Sequence, residues 1–342
     1  MSIDSPVRVM SPEDIVARGG GTMQPLVLPH RSSLFAERSL RLRQLAAGHA
    51  MREFLIFMAD LAQAQQHALA SFPAVPLPDA AATERAGLAG LPPLEAGTWP
   101  RDPTWRAALA QIITELRPRA PQAAQVTLDA LTERLAHDVD EVERQADRLL
   151  NGVMLGLDLA AAPIIAAALQ VNWTHLLLEL QRLHGHDKFP PIDRIDVQGA
   201  CPCCGSRPTA SITTLAGDAP GQRYLHCSLC SLQWHMVRVQ CSHCGSDKGI
   251  AYNALEALGA GDATRSGRAT VQAEICDTCN HYLKIVHMDR DPHVDPVADD
   301  LASVTLDLLV SETGKLRHGV NLMLLFGDPD VASDPDPGGG PD

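Results

Sequence analysis

Four C-x-x-C pairs, Cys201/Cys204, Cys227/Cys230, Cys241/Cys244 and Cys276/Cys279, constrain this chain more than any other feature of its sequence. Two residues between cysteines let one tight turn aim both sulfurs at a single ion, and Gly205 and Gly245 relieve the backbone where amides approach sulfur. Two such turns complete an S4 tetrahedron, so eight cysteines fill two metal sites. A closed S4 set suits zinc or a single iron, and it leaves no position for a water nucleophile, which disfavours hydrolysis at the metal. A redox role stays open. All nine cysteines fall within residues 201–279, and in a reducing compartment such clustering points to metal rather than disulfides. Cys203, between two ligands, reads as a spare thiol.

The cysteine region is two copies of one unit. The first copy runs from Cys201-Pro202-Cys203-Cys204-Gly205-Ser206 through Thr209–Leu215 to Cys227-Ser228-Leu229-Cys230 and Trp234-His235-Met236-Val237. The second runs from Cys241-Ser242-His243-Cys244-Gly245-Ser246 through Val271–Ile275 to Cys276-Asp277-Thr278-Cys279 and the strand-like Tyr282–Val286. Pairing of adjacent motifs (201/204 with 227/230, 241/244 with 276/279) is favoured over crossed pairing, because each half then holds a complete knuckle–hairpin–knuckle ribbon. His226, His235, His243 and His281 crowd the sites. Eight cysteines already suffice for two ions, so these histidines are assigned supporting or solvent-facing roles rather than ligation.

Outside this region the pattern is helical. With 342 residues and only 4% aromatics, the chain suits several short helices joined at prolines better than a large sheet. Leu34, Leu42 and Leu45 mark one helix; Phe54, Met58, Leu61 and Gln65 mark a second. One short helix is expected in the Pro/Ala-rich stretch between Ser71 and Pro103. Leu109, Ile112, Ile113 and Leu116 form an i, i+3, i+4, i+7 face that ends at Pro118 and Pro121. A further pattern from Leu128 to Leu149 stops at Asn151-Gly152. Leu157–Val171 and Asn172–His184 read as two more helices. His175, His184 and His186 have no carboxylate at ligand spacing and read as core or surface histidines. Pro190-Pro191 marks the boundary before the cysteine region.

The net charge is −13, but Asp328, Asp330, Asp334, Asp336 and Asp342 lie in a tail with no Lys or Arg. From Cys201 to His287 seven Lys/Arg face six Asp/Glu, too balanced for the basic stripe of a nucleic-acid surface. Residues 1–29 lack the apolar core of a secretory signal. The longest apolar stretch, Met154–Val171, is interrupted by Asp158, Pro163 and Gln170, which favours a buried helical segment over a membrane span. A cytoplasmic chain without membrane insertion is therefore expected. There is no P-loop, G-x-G-x-x-G, H-E-x-x-H or convincing nucleophile motif, so an enzyme is not expected.

The C-P-x-C-G-S run at Cys201, Tyr224–Cys230 with Trp234-His235, Tyr282-Leu283-Lys284-Ile285, and Asp291-Pro292-His293 followed by Ala298-Asp299-Asp300-Leu301-Ala302 together resemble the FdhE family of formate dehydrogenase accessory proteins. Phe35-Ala36-Glu37-Arg38 and Leu42-Arg43-Gln44-Leu45 extend the likeness into the N-terminal helices. The resemblance implies an assembly factor that meets the catalytic (alpha) subunit of respiratory formate dehydrogenase in the cytoplasm before export, with a homodimer allowed. It also implies rubredoxin-type iron in preference to zinc, a choice that nothing in the sequence itself makes.

The expected architecture is α+β multidomain: a flexible N-terminal arm (1–31), an all-α helical domain (32–188), two tandem rubredoxin-like or zinc-ribbon four-Cys modules (189–240 and 241–290), a C-terminal helix packed on the ribbons (291–326) and a disordered acidic tail (327–342). Asp291, His293, Asp299 and Asp300 admit two readings, a partner-recognition surface or a turn with helix N-terminal charges, and the second is preferred. Two alternatives stand beside the assembly factor: a rubredoxin-like electron carrier and a zinc-ribbon nucleic-acid binder.

Overall fold

The computed structural model describes residues 24–184, 199–215, 221–255 and 269–325. A short strand β1 (Leu26–Val27) precedes helices α1 (Leu34–Leu45), α2 (Arg52–Ala70), α3 (Ala80–Leu88), α4 (Thr104–Leu116), α5 (Gln122–His137), α6 (Val139–Asn151) and α7 (Ala162–His184), with a 3-10 turn at Arg117–Arg119. Strands β2 (Pro208–Thr213), β3 (Arg223–Cys227), β4 (Gln233–Met236), β5 (Ile250–Asn253), β6 (Val271–Cys276) and β7 (His281–His287) follow. Helices α8 (Pro296–Ala302) and α9 (Val304–Glu312) and strand β8 (Leu316–Arg317) complete the order. An all-helical half followed by a sheet-rich half with two four-cysteine groups is the architecture anticipated from the sequence.

The helix boundaries have local causes. The pattern from Leu128 to Leu149 is split at Asp138, whose carboxylate accepts the Glu141 N–H at 3.1 Å and so starts α6. That helix ends at Gly152, in the left-handed region at φ 67°. The two helices expected across 157–184 are instead one. No proline or glycine interrupts the sequence after Pro163, and the junction at Val171-Asn172 is buried inside the continuous α7. This helix is apolar on nearly every side, from Ile164 and Ile165 through Leu169 and Trp173 to Leu180, as a helix surrounded by protein must be. Among the described residues no helix is long and apolar enough to cross a membrane.

Among the described residues the eight strands form one sheet, ordered β1-β4-β3-β2-β7-β6-β5, with β8 beside β7. Within each ribbon the neighbours are antiparallel: β2 with β3 and β3 with β4 in the first, β5 with β6 and β6 with β7 in the second. The ribbons join through β2 and β7, which pair in parallel from Ser211↔Ile285 to Thr213↔His287. Each unit therefore presents the same strand order in the same direction, and the duplication in the sequence becomes a side-by-side repeat. Leu26 and Val27, expected in a loose arm, pair with Trp234 and Gln233, and Arg31 reaches Glu179 at 2.8 Å. A free edge beside β4 is thereby covered. Residues 1–23 of that arm, and the tail from 326 onward, lie outside the described residues.

The expected single C-terminal helix is two, because Ser303 leaves helical geometry (φ −105°, ψ 28°) between α8 and α9. Asp295 caps α8 by accepting from Val297 N (3.0 Å) and Ala298 N (2.7 Å), and it also receives Arg38 at 3.1 Å. Arg41 binds Asp299 at 2.6 Å and Asp291 at 2.8 Å, which ties α1 to α8. Behind α8, Lys284 meets Asp300 (3.0 Å) and Asp307 (2.6 Å), and Arg317 meets the same two carboxylates at 2.7 and 2.9 Å. Asp299 and Asp300 are buried and committed to these pairs, which supports the structural reading of the segment; His293 is exposed.

Candidate metal centres

The first knuckle of each ribbon is built by the same two backbone bonds. Cys201 N donates to Ser206 O (2.9 Å) and Gly205 N to Cys201 O (2.8 Å); Cys241 N donates to Ser246 O (2.8 Å) and Gly245 N to Cys241 O (2.9 Å). Both glycines adopt φ 74°, a left-handed conformation that glycine takes without steric cost. In the second knuckles the corresponding position is Ser231 (φ 60°) and Asn280 (φ 64°). These turns aim amides at sulfur: Leu229 N and Cys230 N donate to Cys227 Sγ, and His243 N donates to Cys241 Sγ, each at 3.4 Å.

The structure brings Cys201, Cys204, Cys227 and Cys230 together in one group and Cys241, Cys244, Cys276 and Cys279 in another, the adjacent pairing favoured above. In the first, Sγ–Sγ separations are 3.5 Å (Cys201–Cys230 and Cys204–Cys227) and 3.7 Å (Cys204–Cys230). In the second they are 3.6 Å (Cys241–Cys279) and 3.8 Å (Cys244–Cys276). A tetrahedron with metal–sulfur bonds of about 2.3 Å has sulfur–sulfur edges of about 3.8 Å, so both groups have the size of an occupied S4 cage. Neither group contains a disulfide.

The two cages sit in different surroundings. All four sulfurs of the first are buried, and the helical half closes around them. Leu94 N and Ala96 N donate to the carbonyls of Cys203 and Cys204 at 3.0 and 2.9 Å. Gln170 on α7 donates to Ser228 O at 2.7 Å, and Thr174 donates to Cys230 O at 3.4 Å. Burial pushes the Cys201 and Cys230 thiols well up, so thiolates there need a cation to offset the lost hydration. Cys203 is buried as well, and its carbonyl is the one that receives Leu94.

In the second cage Cys244 is exposed and Cys279 half-buried. Burial alone would raise the Cys276 thiol, but the N–H groups of Cys279 and Thr278 bring it down to about 7, while burial pushes Cys279 up to about 12. The rim is held by polar contacts: Asp277 N to Gly249 O (2.9 Å), Asn280 Nδ2 to Gly314 O (2.7 Å) and Lys315 to Asp277 (2.6 Å).

The histidines separate into two kinds. His226 is buried beside Arg38 (3.5 Å), and burial together with that charge lowers it to about 3. His235 packs edge-on against Tyr224, and His175 lies against Arg31 and Phe72. His243 and His281 instead stand at the second cage, their rings stacked at 3.8 Å, and with Cys279 they make a third group of metal-binding residue types. His318, which the spacing of the cysteines does not point to, joins them edge-on to His243 at 5.1 Å. The side chain of His184 and all of His186 lie outside the described residues.

Comparison with known proteins agrees with this organisation. Family models for the FdhE N-terminal, central and C-terminal domains match residues 23–188, 200–238 and 239–324. An FdhE homolog from Edwardsiella ictaluri is 38% identical over 321 residues, covering 92% of this chain and 96% of that protein. One from Serratia proteamaculans is 36% identical over 311 residues, covering 90% and 93%. The crystal structure of the FdhE protein from Pseudomonas aeruginosa superposes with a TM-score of 0.77 at 36% identity, over 89% of this chain and 100% of that one. Matches to all three domain models, nearly end-to-end relatives and a shared three-dimensional arrangement place this chain in the FdhE family.

Proposed function

We propose that this protein is an accessory factor for respiratory formate dehydrogenase, which binds the enzyme's catalytic subunit in the cytoplasm during maturation and before export. Membership of the FdhE family is the observation that carries this reading. The cages fit it. Each offers four sulfurs at tetrahedral spacing, so Cys201, Cys204, Cys227 and Cys230 would hold one ion and Cys241, Cys244, Cys276 and Cys279 the other; the preference for iron over zinc rests on the family resemblance alone. A four-sulfur cage has no vacant position for a substrate, in keeping with a protein that shapes or recognises a client rather than transforming one.

The test is affinity purification of the full-length chain under anaerobic conditions, with metal analysis of the same sample. The catalytic subunit should co-purify, and iron should be found at two equivalents. A deletion strain that retained full respiratory formate dehydrogenase activity would contradict the proposal. Exposure of Cys244 favours a second reading, electron transfer through the outer cage, because a rubredoxin-type iron can exchange electrons where its sulfur reaches the surface. Protein prepared without oxygen that carried zinc alone would exclude that role.

A further inference from the structure

Beside the second cage, Arg207, Ser242, His243, His281, Arg317 and His318 line a cavity of about 320 Å³. This is at the small end of the range for small-molecule sites, about 300–1,000 Å³. No carboxylate contributes to the lining among the described residues. Arg317 is already neutralised by Asp300 and Asp307, whereas Arg207, an exposed residue, has no side-chain ion pair or hydrogen bond among the described residues. His318 is 8% exposed, and its Nε2 is buried with no hydrogen-bond partner among the described residues.

His243 stacks on His281 at 3.8 Å and meets His318 edge-on at 5.1 Å, so three imidazoles stand beside Arg207 with no carboxylate in the lining among the described residues. The imidazoles of His243 and His318 and the Ser242 hydroxyl can each donate one hydrogen bond to an anion placed there, whereas His281 commits Nδ1–H to the Cys279 carbonyl at 2.8 Å. The wall opposite is glycine for a steric reason: a Cβ at Gly199 would collide with the carbonyl oxygen of Ser242.

We propose that this cavity binds an oxyanion, the phosphate or carboxylate group of a small molecule, held by Arg207 with Ser242, His243 and His318 as donors. The site is separate from the client-binding function proposed above and stands or falls independently of it. The probes are inorganic phosphate and acetate, titrated into the metal-loaded full-length chain at constant ionic strength and followed by calorimetry. Saturable binding of one equivalent is expected, and the tighter of the two probes identifies the class. Arg207→Gln should weaken that binding about tenfold or more, the effect of one charge-assisted hydrogen bond. Arg52→Gln, an exposed position on α2, should leave it unchanged. Metal content equal to wild type reports that the variant is folded. Protection of Arg207 from phenylglyoxal by the tighter probe provides the same test in the unaltered protein. If neither probe binds saturably, if Arg207→Gln binds as wild type does, or if the probe gives no protection, the proposal is overturned, and the basic cluster only compensates the thiolate charge of the adjacent cage.

Discussion

The two cages share a knuckle, a strand order and a sulfur spacing, yet they hold opposite places in the molecule. Cys201, Cys204, Cys227 and Cys230 belong to the same apolar core as α2, α4 and α7, together with Leu225, Leu229, Leu232 and Trp234. The second ribbon has a small cluster of its own, Ala273, Ile275, Tyr282, Leu306 and Val310. The parallel pairing of β7 with β2 and the ion pairs behind β7 join it to the rest of the molecule. One sequence motif, duplicated, has thus produced a four-cysteine cage inside the fold and another on its rim, and burial rather than residue type is what separates them.

The largest effect that follows is on the inner cage. Cys227→Ser removes one of four thiolates from the main core, and structural sites of this type contribute about 10 kcal/mol or more to folding, as much as the whole stability of a typical domain. The variant should fail to fold, with loss of helical circular dichroism and of both ions. Cys244→Ser, on the exposed rim, should keep its helical signal and lose one ion only. Equal behaviour of the two variants would erase the distinction between the cages.

A smaller effect concerns how the second ribbon is anchored. Lys284 is buried between Asp300 and Asp307. Lys284→Met leaves two buried carboxylates to share Arg317, and breaking a buried pair in this way costs about 3–5 kcal/mol. Urea unfolding should show that loss while metal stays bound in the inner cage. A change below about 1 kcal/mol, the scale of a surface pair, would mean that the ionic anchor is dispensable.

The smallest effect is on pH dependence. Burial, with help from Arg31, lowers His175 in the helical half to about 4, below its unfolded value of about 6.5. The unfolded chain therefore binds the proton more readily, so stability is full above pH 6.5 and declines as pH falls toward 4, by up to about 1.4 kcal/mol per pH unit. His175→Asn should show a shallower decline over that window in thermal unfolding. Parallel curves would mean that His175 is protonated without penalty in the folded chain.

Local chemistry made much of this legible before the fold was known. Cysteine spacing anticipated the two four-cysteine groups, Gly205 and Gly245 marked the knuckles, and the Asn151-Gly152 stop fell where α6 ends. What the sequence concealed depends on partners far along the chain. Nothing near Cys203 says that Leu94 will close over it, and Arg38 and Asp295 meet across 257 positions. The parallel pairing of β2 with β7 follows from tandem placement of two ribbons, which periodicity within a strand does not encode. Leu157–Val171 and Asn172–His184 read as two helices, but no proline or glycine follows Pro163 before the helix ends, and the buried junction at Asn172 lies inside one continuous α7. His318 and Arg207 escaped notice because the cavity they line is formed by distant segments.

The claim that the cages differ by burial is tested most directly by isotope exchange. The full-length chain, with zinc substituted for iron as one isotope and mixed with an excess of another, can be followed by native mass spectrometry without disturbing the fold. One ion should exchange readily and the other should persist, and Cys244→Ser should abolish the exchanging one. Two ions that exchange at the same rate would contradict the account.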